Sequence, residues 1–219
     1  MGGIMSNLRI CVIDDFYPDP YLVRRYALSL PFKEMESSQE RTFYKGHLTE
    51  PRHGLSHVGL ELIAAQLRKL IYWRMPTGEF RLIFERMKDD PERKTWIHFD
   101  SMVTRYAAIV YLNEPEQCEG GTAFYRHRET GWDKVPDFES IEWRQAVART
   151  NKAPETLLKT FEKDGFDIDS KWDQLSVVPM RFNRCIIFDS RQFHARLGGF
   201  GRSTGDGRLT QNFFFDVAS

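Results

Sequence analysis

The pattern of apolar and polar positions changes texture near residue 78. Before it, Leu8 to Ile13 (LRICVI) is a short apolar run that ends in Asp14-Asp15, which predicts a strand. Asp19-Pro20 is a helix start signal. Tyr21, Leu22, Tyr26, Ala27 and Leu28 then fall near helical spacing, predicting a helix over 18–30. Residues 33–56 are polar and rich in turn formers, which predicts a long surface connection. Val58, Leu62, Ala65, Leu67, Leu70 and Ile71 form an apolar stripe, predicting a helix over 57–73 ended by Pro76 and Gly78. Beyond Gly78, β-branched and aromatic residues between turn signals predict strands at 80–87, 95–100, 104–112, 122–125, 175–178, 185–188 and 208–217. Two helices interrupt them, at about 138–149 and 153–164, the second with Pro154-Glu155 in its first turn.

Helices first, then many short strands with one helical insertion, is an α+β order. Many short antiparallel strands hide their edges by closing into a barrel or a double-sheet jelly roll. The expected organisation is one domain over 1–219. A helical layer covers about 1–77, and a jelly-roll core covers about 78–219 with an insertion at about 126–173.

Composition narrows the function classes. Hydrophobic residues are 41%, charged residues 28%, and the formal net charge is zero, as in ordinary soluble globular chains. Zero charge removes the bulk attraction that non-specific nucleic-acid binding needs, and no polybasic patch suggests a membrane surface. No run approaches the roughly 20 apolar residues of a membrane span. The opening MGGIMSNLRICVIDD lacks a basic region followed by a long apolar stretch, so no signal peptide is expected. Cys11, Cys118 and Cys185 are odd in number and widely spaced, so they predict no disulfide framework and suit a reducing cytoplasm. Neither a nucleic-acid nor a membrane partner is expected; oligomeric state is left open.

The chemistry begins at Trp96-Ile97-His98-Phe99-Asp100. Residues two apart on a strand share a face, with side chains roughly 7 Å apart. An imidazole and a carboxylate so placed can converge on a borderline divalent metal. Alone, the triplet reads more simply as a surface strand with two polar positions. His194 follows the apolar run Cys185–Phe188 and a short loop. Between Phe193 and Ala195 it is by itself an ordinary core or surface histidine. Together, the three make a two-histidine, one-carboxylate facial triad, which leaves iron three open positions for a bidentate co-substrate and dioxygen. In Gly207-Arg208-Leu209-Thr210, Arg208 and Thr210 share a strand face. The guanidinium can grip a carboxylate with two parallel hydrogen bonds. A surface arginine is the plainer reading of Arg208.

His98-Phe-Asp100, the strand ending Tyr111-Leu112-Asn113, the turn Glu119-Gly120-Gly121-Thr122, Phe188 six residues before His194, and Arg208 follow one another in order. This order resembles the iron- and 2-oxoglutarate-dependent oxygenases, closest to their prolyl-hydroxylase-like branch, over about Phe80 to Phe215. The resemblance implies a double-stranded β-helix with N-terminal buttressing helices. It also implies Fe(II) and 2-oxoglutarate as cofactors, and hydroxylation of a small molecule, amino acid or peptide. His98, Asp100 and His194 would be the catalytic metal ligands. Arg208 with Thr210 would bind the far carboxylate of 2-oxoglutarate. Tyr111 occupies the place from which a tyrosine in some relatives donates to it, and Gly120-Gly121 would form a tight hairpin after that strand. Because Asp100 is present, the resemblance implies hydroxylation or another oxidation rather than halogenation.

The chain also departs from that pattern. Relatives often have a tyrosine three residues before the first histidine; here it is Thr95, and Trp96, with the parity of His98, reads equally as pocket wall or core. Arg208 lies fourteen residues beyond His194, an excess that Gly198-Gly199-Phe200-Gly201 and Gly205-Asp206-Gly207 could loop out, with Arg202 a rival anchor. The insertion at 126–173 is the expected substrate-facing lid. Its Trp132, Trp143 and Trp172 could stack on a substrate or simply pack two helices. Arg126, His127 and Arg128 could attract an acidic substrate or form a solvated turn. His47, His53 and His57 read as surface histidines. Rival functions are a non-catalytic jelly-roll metal- or ligand-binding protein, and a cupin-type metal dioxygenase that uses no 2-oxoglutarate.

Overall fold

The computed structural model describes residues 10–34, 46–51, 54–85 and 96–218. The N-terminal residues 1–9, His53, Arg86, Met87 and Thr95, on which several expectations fall, lie outside the described residues. The chain is mixed α/β with antiparallel sheets. In chain order the strands are β1 (Cys11–Ile13), β2 (Lys33–Glu34), β3 (His47–Leu48), β4 (Ile71–Tyr72), β5 (Glu79–Ile83), β6 (Tyr106–Tyr111), β7 (Gly121–His127), β8 (Trp172–Pro179), β9 (Cys185–Asp189), β10 (His194–Leu197) and β11 (Arg208–Val217). The helices are α1 (Pro20–Ser29), α2 (Gly54–Leu67), α3 (Ile141–Thr150), α4 (Pro154–Asp164) and the single turn α5 (Ile168–Lys171). One sheet runs β1-β9-β6-β11-β5-β3-β2, with β4 also on β11; the other runs β10-β7-β8.

Strand parity sorts the side chains into layers. On β5, Phe80 and Leu82 face α1 and α2. So do Leu209, Phe213 and Phe215 of β11, joining Val23, Ala27, Leu60 and Ile63 in one apolar cluster. The intervening positions belong to the space between the sheets, where Tyr111, Phe124, Ile186 and Phe188 pack. On the smaller sheet, Ala123, Tyr125 and Ala195 point the other way, onto Trp143, Leu157 and Phe161 of the insertion. The layers are therefore helices, large sheet, interior, small sheet, insertion helices. The period of two that a strand imposes builds them.

Helix ends follow their chemistry. Asp19 caps α1, accepting from Leu22 N at 2.9 Å, with Pro20 in the first turn. Ser140 caps α3 through Trp143 N at 3.1 Å, and Asn151, left-handed at φ 51°, ends it. The helix expected over 57–73 starts and stops earlier, because Arg68 turns left-handed at φ 52° and Ile71–Tyr72 leave to pair with β11. Its buried face is also displaced: Ser56, Gly59, Leu60 and Ile63 are inside, whereas Val58 and Leu70 are exposed. Gly59 explains the shift, since a Cβ there would lie 2.3 Å from the fully buried Phe213 ring. Gly59→Ala is expected to cost about 1–3 kcal/mol in urea unfolding through overpacking. Gly54→Ala, in open space at the same helix's start, should be near neutral.

Three further expectations are corrected. Residues 33–56 are not all loop, since β2 and β3 pair there and β3 joins β5. Residues 96–100 form no continuous strand, only a single bridge between His98 and His194, because Asp100 N turns away to Ser190 O at 2.7 Å. Gly120-Gly121 is not a hairpin: β6 and β7 belong to different sheets, and residues 112–120 cross between them. Both glycines have positive φ (65° and 144°), and a side chain at either would collide with backbone at 2.1 Å.

Candidate metal centre

The bridge that replaces the expected strand is what builds the site. His98 N donates to His194 O at 3.0 Å and His194 N to His98 O at 2.8 Å, so two residues 96 positions apart are locked side by side. Their rings lie 4.4 Å apart, centroid to centroid. Asp100 is brought to the same point: its carboxylate oxygens lie 3.7 Å from His98 Nε2 and 3.4 Å from His194 Nε2. All three ligand atoms fall within 4.8 Å of one another. Two ligands each about 2.1 Å from one ion and at right angles stand about 3 Å apart, so a small contraction would seat a metal.

The imidazoles are set for that role by their other nitrogens. His98 Nδ1 lies 3.1 Å from Trp96 O and His194 Nδ1 2.9 Å from Gln192 O. A carbonyl accepts only, so Nδ1 carries the hydrogen and Nε2 keeps its lone pair toward the centre. Burial, then the neighbouring His194, hold His98 well below the usual histidine pKa, so it is neutral as a ligand must be. Phe188 meets the His194 ring edge-on at 4.7 Å, and Trp96 stacks on His98 at 4.9 Å.

Arg208 lies in the same cavity, between the sheets, with Thr210, Thr122 and Arg196. It is 4% exposed. Its Nη2 donates to Gly121 O at 3.3 Å, and its guanidinium lies 5.6 Å from the Tyr111 ring centroid. Its buried Nε has no hydrogen-bond partner among the described residues. Burial depresses its pKa, yet arginine remains charged. A buried cation with an orphaned donor is the setting a ligand carboxylate would complete. Thr210 Oγ1 donates to Asn212 Oδ1 at 2.9 Å. Tyr111 is fully buried behind the cavity, its hydroxyl 2.8 Å from Thr122 Oγ1. Arg202 stands elsewhere, its side chain 86% exposed beside Glu85. The glycine-rich excursion before Arg208 is real, and Arg24 (to Gly205 O, 2.7 Å) and Asn113 (to Gly207 O, 2.8 Å) fasten it.

The insertion does not cover this cavity as a lid. Its helices pack on the outer face of the small sheet, and Trp132, Trp143 and Trp172 all join that packing. It touches the centre through Trp96, whose Nε1 donates to Glu162 O at 3.1 Å and whose ring stacks on Phe166. A larger cleft, about 660 Å³, opens between α3 and residues 130–137 and contains none of the three candidate ligands.

Among the described residues a second His/acid group gathers at His127, Glu129 and Asp164. There, both ring nitrogens of His127 are already engaged, by Thr130 Oγ1 at 3.1 Å and Asp164 Oδ2 at 3.0 Å, and Glu129 is paired with Lys152. It ties α4 to β7. Burial lowers the His127 pKa against the opposing pull of Asp164. The unfolded chain therefore takes up a proton near pH 6.5 while the folded chain does not. Stability from this group is complete above that pH and falls as pH drops from there toward the folded pKa. Urea midpoints between pH 7.5 and 5 should decline less steeply in His127→Gln than in the wild type.

Arg81, Arg196, Asn212 and Thr122 also line the cavity, and motif reading of the sequence misses them. Parity would find three of them: Arg196 is two beyond His194, Asn212 two beyond Thr210, and Thr122 pairs with Arg196. His47 and His57 lie outside the cavity, near Phe84 and Trp73.

The profile of DUF6445, a family of unknown function, matches residues 4–215. The chain belongs to that family. No curated protein matches this DUF6445 member in sequence. Among solved structures, it is similar to HygX from Streptomyces hygroscopicus with nickel and 2-oxoglutarate bound, at 12% identity and TM-score 0.49, over 95% of this chain and 82% of that one. It is also similar to SnoN, a non-heme α-ketoglutarate-dependent epimerase from nogalamycin biosynthesis, at 14% identity and TM-score 0.46, over 95% and 78%. A Pseudomonas putida prolyl-4-hydroxylase is similar at 14% identity and TM-score 0.40, over 97% and 95%. Residue roles do not transfer at such identities. Among the described residues no helix is long and apolar enough to cross a membrane, and Cys11, Cys118 and Cys185 are free.

Proposed function

We propose that this chain is an Fe(II)- and 2-oxoglutarate-dependent oxygenase built on a single jelly-roll domain, and that it hydroxylates a small-molecule, amino-acid or peptide substrate. The observation that carries the reading is the convergence of His98 Nε2, His194 Nε2 and an Asp100 carboxylate oxygen on one point beside a buried cation. Two imidazoles and one carboxylate would suit Fe(II) and could hold it. When bound, iron and the 2-oxo acid supply reductive use of dioxygen: 2-oxoglutarate, O2 and a substrate C–H give succinate, CO2 and an alcohol.

The chain's own residues hold and orient. Trp96 and Gln192 carbonyls fix the two histidine tautomers. Arg208 would take the far carboxylate of 2-oxoglutarate through Nε and its terminal donors, with the Thr210 hydroxyl beside it. Tyr111 supports that seat from behind through Thr122. Phe188, Phe124 and Trp96 place rings against the histidines and keep water from their edges.

Anaerobic titration of metal-free protein with Fe(II) and then 2-oxoglutarate tests this. A weak visible charge-transfer band from the chelated keto acid is the expected result. Iron binding without the band would shift the reading to a cupin-type metal enzyme, and no iron binding would overturn it.

A further inference from the structure

Arg208 is the first residue of β11, and residues 198–207 before it carry no strand or helix. On one side it pairs in register with Ile83 of β5. On the other side the neighbour is β6, which ends at Tyr111 opposite Thr210. Leu112 N still donates to Leu209 O at 3.1 Å, and the chain then departs for the other sheet. Main-chain pairing from β6 therefore stops just short of Arg208. A strand end paired on one side only is where a ladder frays, and a twist there would swing the Arg208 side chain off the cavity.

The side chain of Asn113 fills the missing place. Its Nδ2 donates to Gly207 O at 2.8 Å, and its Oδ1 accepts from Leu209 N at 2.7 Å. These are the two main-chain groups that bracket Arg208. A carboxamide has the donor and acceptor of a peptide unit, so it continues the ladder by one step after the chain itself has left. Asn113 is fully buried. Its orientation is fixed, because exchanging Oδ1 and Nδ2 would set donor against donor at Leu209 N. Nδ2 also donates to Gln117 Oε1 at 3.3 Å. Arg24 braces the same corner from α1, donating to Leu112 O at 3.1 Å and to Gly205 O at 2.7 Å.

We propose that Asn113 is a positioning residue for the co-substrate. Its amide stands in for a strand partner and fixes the backbone from which Arg208 reaches into the cavity. This rests on the reading of Arg208 as the seat of the far carboxylate of 2-oxoglutarate, and it adds a residue that touches neither metal nor co-substrate and acts through Arg208.

The test is anaerobic titration of the Fe(II)-loaded protein with 2-oxoglutarate, followed by the charge-transfer band. In Asn113→Ala the half-saturating concentration should rise about tenfold, as weakening of one charge-assisted hydrogen bond predicts. Fe(II) affinity measured without 2-oxoglutarate should stay close to wild type. Asn183 supplies a matched control. It is a buried asparagine with the same pair of bonds, accepting from Tyr17 N at 2.8 Å and donating to Tyr17 O at 2.9 Å. Its left-handed φ of 61° suits glycine. Asn183→Gly should lower the urea midpoint and leave the 2-oxoglutarate titration unmoved. In an Arg208→Met background, Asn113→Ala should add nothing to the loss of affinity, because the two act as one unit. If Asn113→Ala does not fold, Asn113→Asp replaces it: the carboxylate keeps the acceptor for Leu209 N and lacks the donors, and the midpoint should rise by a smaller factor. A wild-type midpoint in the folded Asn113 variant overturns the proposal. So does an equal shift in Asn183→Gly, which would trace the effect to a loosened fold, or a full additional shift in the Arg208→Met background. Arg208→Met titrating like wild type overturns the underlying reading instead, and that failure is visible without any Asn113 variant.

Discussion

His194→Ala is expected to weaken Fe(II) binding by at least about 100-fold, since loss of a mere supporting contact to a ligand already costs about 10–100-fold. The 2-oxoglutarate band should vanish with it. His194 does two jobs at once. Its Nε2 is one of three converging candidate ligand atoms, and its backbone makes both hydrogen bonds of the bridge to His98. The alanine variant removes only the first, because the backbone bridge does not depend on the side chain. The fold should therefore survive, and circular dichroism and the urea midpoint should stay close to wild type. Iron content measured after anaerobic reconstitution decides the matter. A variant that still binds iron tightly and shows the band would remove His194 from the ligand set. Asp100→Asn gives a milder comparison, since an amide keeps one oxygen and loses the charge.

The bridge also shows where sequence reading succeeds and where it stops. The spacing of His98 and Asp100, and the later His194, are visible in the sequence because ligand chemistry restricts residue type. Their spacing predicts a shared strand. The structure instead reaches convergence by a single bridge, with Asp100 N turned to Ser190 O. Nothing in residues 96–100 announces that turn, since its partner lies 90 positions away. The long strand is legible: Arg208–Val217 matches its expected span, with Leu209, Phe213 and Phe215 facing the helices and Arg208 and Thr210 the cavity. The α2 stripe misleads because apolar residues left outside, such as Val58 and Leu70, look the same in sequence as those inside. Only the Phe213 ring over Gly59 tells the faces apart. The insertion has the sequence of a lid because loops between sheet strands often are lids. Its apolar residues, Trp143, Leu157 and Phe161, had a face to bury, and the outer side of the small sheet took it.

Arg208→Met is expected to have two effects of opposite sign. Two charge-assisted hydrogen bonds to a carboxylate, each about 1.5–3 kcal/mol, make a loss of 2-oxoglutarate affinity of about 100-fold or more. In the ligand-free protein the same change removes a buried cation that, among the described residues, has a 3.3 Å hydrogen bond to Gly121 O and no partner for Nε. Replacing such a charge by an apolar side chain of similar volume is commonly neutral or stabilising by about 1–4 kcal/mol. The urea midpoint of the ligand-free variant should therefore match or exceed that of the wild type, while its charge-transfer titration shifts to far higher 2-oxoglutarate. A structural arginine would give the reverse, a less stable protein with affinity lost only through misfolding. Arg208→Lys separates charge from geometry, since a lysine keeps the positive end but not the planar fork, and intermediate affinity is the expected result. Unchanged 2-oxoglutarate affinity in Arg208→Met would move the seat to Arg196 or Arg81, the other guanidinium groups in the cavity.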